Sequence, residues 1–127
     1  MTAYGIAAVG IGAAFGAWLR WCLGILLNPI LPALPLGTLA ANLGGGFLVG
    51  VAVEYFMQHS AAPPELRLAI ITGFLGGLTT FSTFSAEAVT LLARAQYGWA
   101  VLLITGHLAG SLLLTLLGIM TVRWLSA

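Results

Sequence analysis

The 127-residue chain contains no lysine and no aspartate, and charged residues make up only 6% of it. A soluble domain is normally about a quarter charged. Its single cysteine, Cys22, excludes an internal disulfide and a cysteine-based metal site. That cysteine reads as a small apolar packing residue. The net charge of +1, with no basic cluster, argues against a nucleic-acid partner. No basic segment followed by a short apolar core and a cleavage site is present, so no removable signal peptide is expected. What remains is apolar: 61% hydrophobic residues and a mean hydropathy of +1.10. These values predict one membrane domain, with no room for a soluble catalytic domain.

Four apolar spans are expected, at about residues 4–27, 36–57, 66–95 and 99–124. About 20 apolar residues suffice to cross the hydrocarbon core. In the first span Gly12 and Gly16 share a face and permit close helix approach. Trp18 and Trp21 read as interfacial anchors with Arg20 between them. By position alone, Arg20 is a snorkelling charge. Pro29, Pro32 and Pro35 break the chain before the second span. That span carries Asn42, whose amide needs a partner in hydrocarbon, and Glu54 near its far end, expected at the interface. His59 falls in the second connection with no ligand cluster around it. Gln96–Gly98 is expected to form the last tight turn. In the fourth span Gly106 and Gly110 make a small-residue face, and His107, Ser111 and Thr115 form a polar stripe that must look inward.

The third region is longer than one straight crossing requires, and residues 72–87 read Thr-Gly-Phe-Leu-Gly-Gly-Leu-Thr-Thr-Phe-Ser-Thr-Phe-Ser-Ala-Glu. The expected break is at Gly76-Gly77, within residues 76–80, at mid-membrane. Beyond it Phe81 and Phe84 share one helical face, Thr83 and Glu87 another, and Ser82 and Ser85 a third line. Aromatic rings have positive edges. Ring edges, hydroxyls and an amide can carry a small anion without a fixed cation that would bind it too tightly to release.

Four spans place both termini on one side, with Arg67 and Arg123; Arg20 and Arg94 fall on the other. Two against two leaves no positive-inside bias to set orientation. Dual topology and an antiparallel homodimer follow as expectations, the two-chain form of an inverted repeat.

Residues 37–42 (Gly-Thr-Leu-Ala-Ala-Asn), residues 73–87, Gly110-Ser111 and residues 16–20 (Gly-Ala-Trp-Leu-Arg) together resemble the Fluc fluoride channels, also called CrcB proteins. The likeness covers length, span count and motif order. It implies an all-α membrane protein whose third helix is broken at mid-membrane, assembled as an antiparallel dual-topology homodimer with two fluoride pores. It further implies that Phe81 and Phe84 are the fluoride-facing phenylalanine pair and that Asn42 is a pore-lining amide. Ser111, Thr38 and Thr83 would join the polar track, with Ser82 and Ser85 on the same segment and Glu87 toward an outer part of the pathway. Arg20 becomes a vestibule arginine under this likeness. A structural sodium ion at the dimer axis would be held by the backbone carbonyls of Gly76 and Thr79. The likeness also implies a multi-pass protein of the bacterial inner membrane that passively exports cytoplasmic fluoride. The competing readings are a small proton-coupled exporter, which needs an acid at mid-membrane, and a non-transporting scaffold. The role of His107 stays open.

Overall fold

A computed structural model describes residues 1–127. It is all helical, and four of its helices are long and apolar enough to cross a membrane. Helix α1 (Ala3–Leu27) starts at Thr2, whose hydroxyl accepts from the Gly5 N–H at 3.0 Å, an N-cap that satisfies one free end donor. A 3₁₀ turn, Asn28–Ile30, follows. Helix α2 (Leu36–Gln58) begins where the Gly37 N–H donates to the Asn28 side-chain carbonyl at 2.8 Å, so the connection is tied to the helix it introduces.

The third span covers Pro64–Ala93. It opens with a turn of helix, α3 (Pro64–Arg67), widens into a π-helical segment (Leu68–Leu75), and closes with α4 (Gly76–Leu78). The chain is then extended at Thr79 (φ −84°, ψ 152°) and Thr80 (φ −151°, ψ 119°) before α5 (Phe81–Ala93). The expected break at Gly76-Gly77 therefore shifts: both glycines are helical and the interruption falls on two threonines. The reason is packing. A side chain on Gly77 would strike the Ala13 backbone, so that glycine admits α1 rather than ending a helix.

The final turn also differs from the expected Gln96–Gly98. Helix α5 ends at Arg94–Ala95, with Ala95 left-handed (φ 56°) and the Gln96 N–H donating back to the Leu91 carbonyl at 2.9 Å. That six-to-one bond is a Schellman closure built on alanine where glycine is usual. Gly98 lies inside the first turn of α6 (Tyr97–Leu125).

Two close helix pairs hold the bundle. On α1, Gly12 and Gly16 meet the backbone of Ala69, Phe74 and Leu78, while Gly73 and Gly77 meet Val9 and Ala13 in return. On the other side Gly50 of α2 lies against Thr115 of α6, and Gly118 of α6 against Phe47. Without a hydrophobic drive between helices in lipid, such backbone approach and its van der Waals contact provide the association. Gly118 was outside the Gly106–Gly110 face read from the sequence; Gly106 itself meets only the tip of Leu39. Apolar residues pack into two clusters, one around Phe84, Leu91 and Leu103 and one around Phe56, Leu75 and Leu78, on either side of the break.

Candidate functional site

The break is made by a side chain. Asn42, on α2, accepts from the Thr80 N–H at 2.7 Å and donates through Nδ2 to the Thr80 carbonyl at 2.9 Å. One amide thus pairs both backbone groups of an extended residue, as a neighbouring strand would, and removes the penalty for unpaired backbone in an apolar region. This pairing fixes the Asn42 orientation. Its second Nδ2 hydrogen points to His107 Nδ1 at 3.0 Å, so that nitrogen accepts and the proton sits on Nε2. His107 is 4% exposed, and its Nε2 has no partner within the chain.

Thr80 is also the N-cap of α5: its hydroxyl accepts from the Thr83 N–H at 3.2 Å and contacts the hydroxyls of Thr83 and Ser82 at the same distance. The consequence for the break is specific. The Thr80 and Thr83 N–H groups are the helical donors that would serve the carbonyls of Gly76 and Thr79. Both are diverted, to Asn42 and to the Thr80 hydroxyl. The two carbonyls assigned to sodium from the sequence are therefore left without their helical donors, and neutral oxygens of this kind suit a hard cation.

Downstream of the break, Phe81 and Phe84 meet edge to face with centroids 5.5 Å apart. They are unequal. Phe84 is 7% exposed and lies 4.7 Å from the His107 ring, whereas Phe81 is 73% exposed. Asn42, Thr79, Thr80, Phe81, Phe84 and His107 surround a cavity of about 370 Å³, whose α6 wall includes Ser111 and Thr115. The polar stripe of the fourth span thus faces the phenylalanines. Thr115 additionally donates to the Gly46 carbonyl at 3.0 Å, joining α6 to α2. No arginine lines this cavity.

The remaining candidates lie around it. Thr38 donates to Glu87 Oε1 at 2.6 Å, joining α2 to α5, and Glu87 Oε2 is buried without a partner. Ser85 is half-buried and makes no side-chain hydrogen bond; Ser82 and Gly76 are exposed. Arg20 donates from Nε to the Gly77 carbonyl at 3.0 Å. Its charge therefore sits at the carbonyl end of the first half of the broken span, where a cation is favoured by the helix dipole and by the free carbonyls.

Two pairings were invisible in the sequence. Thr38 and Glu87 are 49 residues apart, and Asn42 and His107 are 65 apart. The only sequence signal was that each is polar in an apolar span and so requires a partner. Glu54, expected at the interface near the end of its span, is 7% exposed and paired. Arg123 grips both its oxygens, at 3.1 and 3.2 Å, and Gln58 donates to it at 3.1 Å. A carboxylate buried at a span end is tolerated because the arginine fork matches it.

A family model described as CrcB-like protein, Camphor Resistance (CrcB), matches residues 7–119. A protein of Nitrosospira multiformis named fluoride-specific ion channel FluC is 65% identical over 126 residues, covering 99% of this chain and 98% of its own length. A protein of the same name from Ralstonia pickettii is 61% identical over 126 residues, covering 99% and 100%. Another, from Pseudomonas paraeruginosa, is 58% identical over 120 residues, covering 94% of each chain.

Proposed function

The chain belongs to the CrcB-like family, a family of channels and not of enzymes, and from that premise we propose that it is a fluoride channel of the bacterial inner membrane. The observation that carries the reading is the cavity beside the break. It offers phenyl ring edges from Phe81 and Phe84, a buried N–H at His107 Nε2 and the Ser111 hydroxyl, with no fixed cation among its walls. Weak, serial donors let a small anion enter and leave, which conduction requires.

Each residue has a part in this reading. Phe81 and Phe84 present positive ring edges to the anion. Asn42 holds the break open and keeps His107 in the tautomer whose Nε2–H faces away from it. Ser111, Thr38, Thr83, Ser82 and Ser85 extend the polar path, and Glu87, steadied by Thr38, lies toward its outer part. Arg20 remains the vestibule cation for approaching anions, with its charge anchored on the Gly77 carbonyl. The exposed Phe81 and the exposed Leu108 and Leu112 leave one side of the cavity uncovered by this chain, which favours a second copy as its other wall. Two arginines on each side favour insertion in both orientations, hence an antiparallel homodimer with two pores. At its axis the Gly76 and Thr79 carbonyls of the two copies would hold a sodium ion, which would supply fixed positive charge and lock the two breaks together. The oxygens present fit that role because Asn42 and Thr80 have taken their helical donors.

Hydrogen fluoride crosses membranes uncharged and ionises in a neutral cytoplasm. The trapped anion then leaves through the channel, driven by about 2.3 kcal/mol per charge for each 100 mV. A proton-coupled exporter needs an acid at mid-membrane, and Glu54 and Glu87 both lie toward the ends of their spans, Glu54 being paired with Arg123 as well.

The test is efflux from liposomes containing only this protein, with an ionophore releasing the charge and a fluoride electrode outside. Rapid fluoride loss with little chloride loss supports the channel. No fluoride loss from well-folded protein refutes it, and uptake driven by a pH gradient would favour the exporter instead.

A further inference from the structure

The end of the bundle at the second connection carries a polar cavity that the channel reading does not use. It encloses about 370 Å³ and is floored by Phe56, which is 3% exposed, and walled by His59, Ser60 and Arg67. The Arg67 guanidinium lies over the Phe56 ring, 5.7 Å from its centroid. It makes no hydrogen bond and no ion pair with any group of the chain; Glu65, two residues earlier, does not reach it. Of the other arginines, Arg20 is bound to a carbonyl and Arg123 to Glu54; Arg94 is also unpaired but has no aromatic face beneath it. His59 is held in place by stacking on Tyr55 (4.1 Å between centroids) and by Nδ1 against the Tyr55 carbonyl at 2.8 Å, which leaves Nε2 free. A cation oriented by an aromatic face and the Ser60 hydroxyl therefore converge beside a fixed imidazole with their donors unspent. That is the chemistry of a phosphate site.

A second feature identifies the phosphate's source. The same Phe56 also borders an apolar groove of about 460 Å³ between α2 and the third span, lined by Tyr55, Leu66, Ile70 and Phe74 among others. All of its lining is hydrophobic. A basic pocket at a span end, adjoining an apolar groove across Phe56, matches a headgroup joined to an acyl chain. The geometry points to a bound phospholipid with an anionic headgroup: its phosphate on Arg67 and Ser60, beside His59, and one acyl chain along the groove. A free phosphate satisfies the cavity and leaves the groove unused.

Retention by the intact protein in detergent, read by native mass spectrometry, tests this. Three probes are compared at equal concentration: phosphatidylglycerol, diacylglycerol with the same chains, and inorganic phosphate. Phosphatidylglycerol should be held and the other two lost. Arg67→Gln should weaken its retention about fivefold, the value of one basic residue near an anionic lipid. Arg94→Gln, on the opposite side, should leave retention unchanged, and Arg67→Lys should restore most of it. Both substituted side chains are exposed, and gel filtration checks that each variant keeps its assembly. Equal retention by Arg67→Gln and Arg94→Gln overturns the site. Phosphate held as tightly as the lipid reduces it to an anion pocket, and diacylglycerol held as tightly reduces it to an apolar groove; either result overturns the proposal.

Discussion

Upstream of Thr79 the third span meets its neighbour, α1, through glycine and bare backbone. From Thr80 onward it meets α2 through side-chain hydrogen bonds, from Asn42 to Thr80 and from Thr38 to Glu87, and α6 through the Phe84 ring against His107. In the upstream half the one side-chain hydrogen bond to another helix is from Arg20 to the Gly77 carbonyl, at its very end, whereas the downstream half is bonded to α2 through both Asn42 and Thr38. One span thus divides into a half that is positioned and a half that acts. The division is placed by Asn42, a residue of a different helix. Glycine in the upstream half serves contact, and the break itself is a matter of pairing.

The sharpest way to break this comparison is to put volume into the positioned half. Gly16→Val would drive a side chain into the Phe74 carbonyl. It should destabilise the protein by about 3 kcal/mol or more, since overpacked backbone contacts cannot relax cheaply. Gly10→Ala on the same helix, where nothing lies within 4 Å, should cost nothing measurable. Denaturation in detergent separates the two; equal stability would mean that the α1 contact is not tight.

In the acting half the two phenylalanines provide the next test. Phe84→Ala should cost about 3 kcal/mol, as for other buried aromatic truncations, while the exposed Phe81→Ala should cost far less. Both should nevertheless bring fluoride efflux down toward that of protein-free liposomes. An efflux loss that merely follows the stability loss would make Phe81 a lipid-facing residue.

Asn42→Ala leaves the Thr80 backbone groups without their partner and should cost about 2 kcal/mol. Efflux should fall together with it, because the break and His107 lose their common anchor. Unchanged efflux would show that the break forms without Asn42. Arg20→Gln removes a charged donor from the Gly77 carbonyl and, at a half-exposed site, should cost about 1 kcal/mol. Efflux should fall by less than with Asn42→Ala. The smallest effect is expected outside both halves: Ala95→Gly should stabilise the protein by about 1 kcal/mol by relieving a left-handed alanine.

How far the site could be read in advance depends on the distance over which each signal acts. Thr80 capping α5 is local, a hydroxyl three residues before Thr83, a signal in the sequence that the expected break did not use. The His107–Ser111–Thr115 stripe is likewise a matter of helical period, and all three residues line the cavity. The partner of Asn42 was not legible, because a lone amide in an apolar span states only that it needs a partner. Within the expected residues 76–80 the break falls on Thr79 and Thr80 and not on Gly76-Gly77, for a related reason. Glycine weakens a helix in isolation, but here Gly76 and Gly77 stay helical, and Gly77 lies against α1, which rewards the missing side chain. Ala95 in the left-handed region, in place of the expected turn around Gly98, shows the same override by the surrounding fold.

The sequence by itself determined the solvent and the elements: a nearly uncharged, apolar chain with room for four crossings belongs in a bilayer, where its backbone must be helical or otherwise paired. Tertiary structure alone decided where the third helix yields, which phenylalanine is buried and which exposed, and which polar groups remain unspent. Those outcomes depend on contacts between residues tens of positions apart, and only the packing of α1, α2 and α6 around the broken span brings such residues within hydrogen-bond reach.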